Sequence, residues 1–261
     1  MPVPRAVIHI NFNPILLMFE PRRIWTALRR AEERQFIRAG TRVQLELRLG
    51  NTAIYLATRD EILRAGISEL RNSLASLAER VPDSWTAPNG VRVIRENDLN
   101  GLRAKVLLLI DSFLFEFRAY LELLAKFTYR VSRAAGLGPP NSVQLTSGEF
   151  LDIRDTNRKL ITNNFLLYLC DQLGVSSDWY QFLSSHRNFF THRGAPYLAI
   201  EDKLVRPPEY DFLVMRINIQ DFAVVDPSDY FRLSECQGVV AGVKTLGQAV
   251  QAHLVRALEG T

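Results

Sequence analysis

The stretch from Leu99 to Ala135 constrains this chain more than any other. It reads as one long helix, the longest in the chain, with Asp98 placed to cap its start. Gly136, Gly138, Pro139 and Pro140 follow it and form a strong stop. Between Val106 and Leu124 apolar residues fall on nearly every side. A helix of that kind has to run through the middle of a bundle. Asp111 and Glu116 interrupt the apolar run from Val106 to Phe117, so it reads as a core helix and not as a membrane span. The expected class is therefore mainly α.

Other helices follow from the same periodicity. Pro21 suits a first helical turn and Gly40 a stop, which predicts a charged helix over 21–39, after a short β-like stretch from Ala6 to Phe12. Thr58 to Val81 carries Ile62, Leu63, Ile67, Leu70, Leu74 and Leu77 on one side. A helical stretch starts over Ser147–Leu151 and runs to Leu173, where Gly174 ends it. Ser176 or Ser177 then caps a short aromatic-rich helix from Asp178 to about Thr191, closed by Gly194 and Pro196. Asp226 to Asp229 opens a last helix to about Leu258, with a stripe of Val239, Val243, Leu246, Val250, Leu254 and Ala257.

Two stretches read as β. From Arg42 to Tyr55, Val43, Leu45, Leu47 and Leu49 alternate with polar residues before Gly50-Asn51, which favours a hairpin. A helix through the same residues is the alternative, because Leu and Glu are good helix formers. Tyr197–Glu201 and Phe212–Ile219 predict a second hairpin, at about 196–220, around Pro207 and Pro208. Residues 82–97 hold Pro82, Pro88 and Asn89-Gly90 and have little helical period. That break divides the chain into an N-terminal α/β extension, 1–95, and a helical bundle, 96–261.

Composition excludes several classes. The 261 residues are 47% hydrophobic and 23% charged, enough to build a core and too apolar for a disordered chain. The net charge is +4, and arginine dominates the basic residues. That permits a polyanionic partner, although a GC-rich genome, which favours arginine codons, is the plainer explanation. Cys170 and Cys236 form no metal-type pair and no disulfide framework, so buried free thiols are expected. Ile15 to Phe19 is too short for a signal core. A cytoplasmic protein without a membrane anchor is the expectation.

Imidazole, guanidinium and amide groups crowd together in one place. Two of the four histidines fall in Ser185-His186-Arg187-Asn188-Phe189-Phe190-Thr191-His192-Arg193-Gly194, at the end of the aromatic-rich helix. Asn188 and His192 are four apart and share a helical face. Arg187 is five before His192 and reaches that face only by swinging its long side chain or by local unwinding. A histidine near its ordinary pKa can accept or give a proton at neutral pH. An arginine can hold two phosphate oxygens and stabilise charge developing there. That set suits cleavage of an RNA phosphodiester, in which the 2′-hydroxyl supplies the nucleophile and no metal is required. The plainer reading makes His192 a helix C-cap and Arg187 a solvated or ion-paired residue. His186 and Arg193 flank the set and would add backbone contacts, or be ordinary surface residues. Asp111, Glu116, Arg118 and Glu122 interrupt the apolar helix; they suit either a polar network toward Arg187 or a structural pair between Arg118 and Glu122. Phe189 and Phe190 read as core. No Gly-rich phosphate loop, serine-hydrolase elbow or metal-ligand spacing is present, and no cofactor is implied.

Arg187-Asn188-Phe-Phe-Thr-His192 resembles the R-polar-x-x-x-H signature of HEPN domains, and the segment from Asp111 to Glu122 resembles an early helix of bacterial HEPN-like proteins. The resemblance covers about Asp98 to the C-terminus. It implies a bundle of four or five helices, here with a β-hairpin inserted. It also implies a homodimer whose two motifs meet in a shared cleft. The implied role is a metal-independent ribonuclease, a hydrolase of toxin–antitoxin or phage-defence systems with a possible antitoxin-type protein partner, or else a non-catalytic module binding RNA, nucleotide or protein. On that resemblance Arg187 binds the scissile phosphate, Asn188 orients groups in the cleft and His192 is the acid or base.

Overall fold

The computed structural model describes residues 7–8, 18–79, 84–86, 91–94, 100–136, 157–192, 194–202, 209–218 and 230–260; at 7–8, 84–86, 91–94, 100, 157–164, 191–192, 194–196, 200–202, 209–210 and 215–218 the description is of backbone only. The protein is mainly α-helical with a smaller β-sheet. In chain order the elements are β1 (Val7–Ile8), α1 (Pro21–Glu33), α2 (Thr41–Ala78), β2 (Ser84–Thr86), β3 (Val91–Ile94) and α3 (Asn100–Ala134). Then come α4 (Asn157–Gln172), α5 (Asp178–His192), β4 (Gly194–Asp202), β5 (Glu209–Asn218), β6 (Tyr230–Arg232) and α6 (Cys236–Glu259). A single 3₁₀ turn, Leu233–Glu235, links β6 to α6. Among the described residues no helix is long and apolar enough to cross a membrane.

The chain folds as two units, neither of which follows the expected division at 95. The first is built from 1–14, 63–116 and 179–241; the second from 15–62, 117–178 and 242–261. Helices α2 and α3 each give one part of their length to each unit.

The largest departure from expectation is α2. Residues 42–55 form no hairpin; they are the first turns of a 38-residue helix, which is longer than α3. Leu45 and Leu49 are buried, while Leu47 is 83% exposed and Val43 is also exposed. Positions 45 and 49, and 43 and 47, are each one helical turn apart, so a four-residue alternation fits two opposite helix faces as well as it fits a strand. Gly50, read as a turn, lies inside the helix with open space around it. The expected helix over 58–81 is the continuation of α2, with Leu63, Ile67, Leu70, Leu74 and Leu77 buried and Ile62 exposed.

Residues 82–97 are likewise not a simple linker. β2 and β3 pair antiparallel, with Trp85 opposite Val93, and β3 pairs antiparallel with β4, with Val91 opposite Glu201. The expected hairpin is present as β4 and β5, in register from Gly194–Asn218 to Asp202–Tyr210. The sheet order is β1-β5-β4-β3-β2, and β6 pairs with β5 beyond the short parallel β1. Asp211 to Leu213 and Val214 are all buried, so both faces of β5 are covered there. In the same unit Arg103 of α3 sits 3.8 Å over the ring of Tyr197 on β4. Lys105 of α3 pairs with Glu69 of α2.

In the second unit α1 packs through Ile24, Ala27, Leu28 and Ala31, spaced for one helical face. It stops at Glu33, short of the expected 39, because Gln35 turns into the left-handed region at φ 61. The amides of Gln35 and Phe36 then close on the carbonyls of Glu32 and Ala31, a Schellman ending with Gln in the usual glycine place. Phe127 of α3 receives Phe19 and Trp25 edge-on, at 5.4 and 5.3 Å between centroids. Asp60 is buried and accepts the Met18 amide at 3.3 Å. Burial, reinforced by the Asp60 carboxylate, pushes the Tyr120 phenol well above its ordinary pKa. The stripe on α6 is present, with Val239, Val243, Leu246, Val250 and Leu254 buried, but the helix starts at Cys236 and not at 226–229. The proposed starts at Asp98 and Ser147 lie outside the described residues.

Candidate functional site

Helix α5 carries the candidate residues, and local chemistry fixes where it begins. Gly174, at φ 62, terminates α4, and the Val175 amide returns to the carbonyl of Cys170 at 2.8 Å. Ser176 Oγ accepts the Asp178 amide at 3.3 Å and donates to its carboxylate at 2.9 Å. Asp178 also places negative charge at the positive end of the helix. Trp179, Tyr180 and Leu183 bury the inner face of the first turns.

His186 does not lie on the surface. It is 9% exposed, with its ring 4.4 Å from Phe182 and 4.2 Å from Phe231 of β6. Phe182 and Phe190 also meet Phe231, at 5.2 and 6.2 Å. Residues 182, 186 and 190 are successive i,i+4 positions, so one aromatic stripe of α5 clamps the last strand of the sheet. This corrects the expectation that His186 is a backbone-contacting or plain surface residue. Sequence alone does not bring Phe231 to α5, because it lies some forty residues downstream; the spacing of 182, 186 and 190 is the signal the sequence offers. Phe189 and Phe190 are half-buried and packed edge-to-face at 5.6 Å.

Arg187 and Asn188 are half-buried neighbours. Arg187 Nη1 lies 3.5 Å from Asn188 Oδ1, the outer limit of a hydrogen bond. The helix continues unbroken to His192, so no unwinding brings Arg187 onto its face. Asn188 and His192 occupy one side of α5, and Arg187 stands about 140° around the axis from His192 at five residues' spacing. His192 is the last helical residue, and β4 starts two residues later at Gly194, opposite Asn218. Arg193 lies outside the described residues.

The acidic and basic residues of α3 divide between the two units. Asp111 is exposed and Glu116 half-buried, both in the unit that contains α5. Arg118 belongs to the other unit, where it is buried and its Nε donates to Glu122 Oε1 at 3.1 Å. Arg118 and Glu122 thus form the ion pair that the plainer reading offers. Among the described residues no group of three His, Cys, Asp or Glu side chains is placed to hold a metal ion.

Among the described residues of the unit that contains α5, the buried carboxylate is Asp211 on β5. It accepts the Phe212 amide at 2.9 Å and the Ser234 hydroxyl at 3.0 Å, and Arg232 Nε lies 3.8 Å away. It pins the 3₁₀ turn to β5. Burial, with Glu235 and Asp211 nearby, pushes the Cys236 thiol far above its ordinary pKa. Cys170 is also a buried free thiol, so both cysteines stand as expected.

The chain matches no family model, no curated protein and no solved structure.

Proposed function

We propose that the C-terminal end of α5 is the centre of an endoribonuclease that needs no metal. The observation that carries this reading is the persistence of α5 to His192. Positions 188 and 192 therefore share one helix face, one turn apart, and the half-buried Arg187 is next to Asn188 in the chain. In the proposed reaction a base takes the proton of the 2′-hydroxyl, and the freed oxygen attacks the adjacent phosphorus. The 5′-oxygen leaves with a proton from an acid, giving a 2′,3′-cyclic phosphate and a 5′-hydroxyl end. His192 supplies one of these proton transfers. Arg187 holds the phosphate and the charge that grows on it, and Asn188 orients the guanidinium. Two proton transfers and one histidine at the helix end favour a pair of motifs in a shared cleft, which fits the HEPN-like homodimer that the R-polar-x-x-x-H resemblance implies. DNA, lacking the 2′-hydroxyl, should be inert.

The test uses purified protein and a structured RNA in excess EDTA, beside His192→Ala and Arg187→Lys. The wild type should cleave and leave cyclic phosphate ends. His192→Ala should abolish cleavage with its helical circular-dichroism signal intact. Arg187→Lys, which keeps the charge but loses the two-pronged contact, should cleave more slowly. Undiminished cleavage by His192→Ala would sink the proposal. Specific RNA binding by all three proteins without turnover would replace it with a binding module.

A further inference from the structure

The second unit contains a groove of about 820 Å³ between α1 and the C-terminal half of α6. Its floor is aliphatic and small: Met18, Ala27, Ala252 and Val255. Its rim carries four arginines, Arg22, Arg23, Arg30 and Arg256, against two glutamates, Glu20 and Glu259. Both glutamates are already engaged. Glu20 pairs with Arg23 at 3.0 Å, and Glu259 with Arg30 at 2.7 Å. Arg22 and Arg256 are exposed, so the unbalanced charge of the rim is positive.

The groove is held open by fixed contacts. The Glu20 amide donates to Gln251 Oε1 at 2.6 Å, and Gly247 of α6 lets the Met18 carbonyl approach its Cα directly. Arg22 and Arg23 occupy the first turn of α1, where the helix dipole disfavours cations. A local rule broken in that way is expected where a surface serves binding.

We propose that this groove is a docking site for an acidic amphipathic helix of a partner protein. The lining residues of α6 run from Gln248 to Glu259, about 17 Å of helix, and the arginines of α1 from 22 to 30 span about 12 Å. A guest helix of three to four turns matches that length. Its apolar stripe would cover Ala252 and Val255, and carboxylates about two turns apart would meet the two ends of the rim. Among the described residues no aromatic side chain lines the groove, so none of them offers the stacking platform that single-stranded nucleic acid uses. The aliphatic floor would gain nothing from a phosphate backbone.

The full-length protein should be titrated by fluorescence anisotropy with a labelled synthetic amphipathic helix of roughly 14 residues, leucine on one face and glutamate on its flanks. The same peptide with lysine for glutamate is the control. The acidic peptide should bind and the basic one should not. Arg22→Glu/Arg256→Glu should weaken the acidic peptide by about tenfold or more and should gain affinity for the basic one. That exchange of preference also shows the variant to be folded. No saturable binding of the acidic peptide up to about 1 mM, or equal binding of both peptides, would overturn the proposal. So would binding of a uridylate oligomer or of phosphatidylserine vesicles that is lost in the same variant, which would make the groove a nucleic-acid or membrane surface.

Discussion

Replacing Gly247 by alanine should destabilise the protein, although the same change elsewhere in these helices should stabilise it. Gly247 is buried inside α6, and a β-carbon there would stand 2.4 Å from the Met18 carbonyl oxygen and 3.1 Å from its carbon. The obstacle is backbone, fixed on its other side by the Met18 amide's bond to Asp60 and by the Glu20 bond to Gln251. Overpacking of this kind costs about 1–3 kcal/mol, and a backbone obstacle belongs at the upper end. Alanine also gains about 1 kcal/mol over glycine in a helix interior. The net expectation is a loss of about 1–2 kcal/mol. Gly66 in α2 is the internal control, since a β-carbon there meets nothing within 4 Å. Gly66→Ala should therefore show only the gain, up to about 1 kcal/mol. Urea unfolding followed by circular dichroism reads both, with midpoints expected to move in opposite directions. If Gly247→Ala were as stabilising as Gly66→Ala, α6 could not approach residue 18 as described, and the groove beside it would lose its geometry.

Two further outcomes test the other unit and the thiols. His186→Ala should cost about 1–3 kcal/mol in urea, because it empties the space between Phe182 and Phe231; a cost under about 0.5 kcal/mol would mean an exposed imidazole instead. Burial raises the Cys170 thiol from its ordinary 9.0 to about 11, so the unfolded chain releases this proton first as pH rises. The associated stability is whole below about 9 and is lost between there and about 11. Cys170→Ala should flatten that part of the stability–pH curve, and an unchanged slope would refute the assignment.

The helices were legible where local chemistry and periodicity agreed. α5 announced itself through Ser176, Asp178 and the aromatic run, and α6 through its i,i+3/i+4 stripe. The β4–β5 hairpin was visible in the strict alternation of Leu213, Met215 and Ile217. The failure at 42–55 has a definite cause. Val43, Leu45, Leu47 and Leu49 are consistent with both periods over so short a window, and Leu47 is an exposed leucine that a one-sided pattern cannot anticipate. The strands at 84–94 were hidden for a different reason. β2 and β3 are only three and four residues long, too short to show a period, and the strand that ties them into the sheet, β4, pairs with β3 from more than a hundred residues downstream.

The candidate site divides along the same line. That Asn188 and His192 share a helix face follows from spacing alone, and α5 keeps that spacing. What spacing could not supply was the opposite side of the helix. His186 sits one residue before Arg187, about 100° around the axis, and there it is packed by Phe182 and Phe231. A buried aromatic stripe on one side of α5 fixes the rotation of the whole helix. It thereby fixes the rotational setting of the α5 positions at 187, 188 and 192 relative to the sheet. The two histidines of the motif thus divide the work: His186 anchors the helix, and only His192 remains a candidate for proton transfer. His186→Ala and His192→Ala should accordingly separate cleanly, the first lowering stability and the second lowering turnover on RNA.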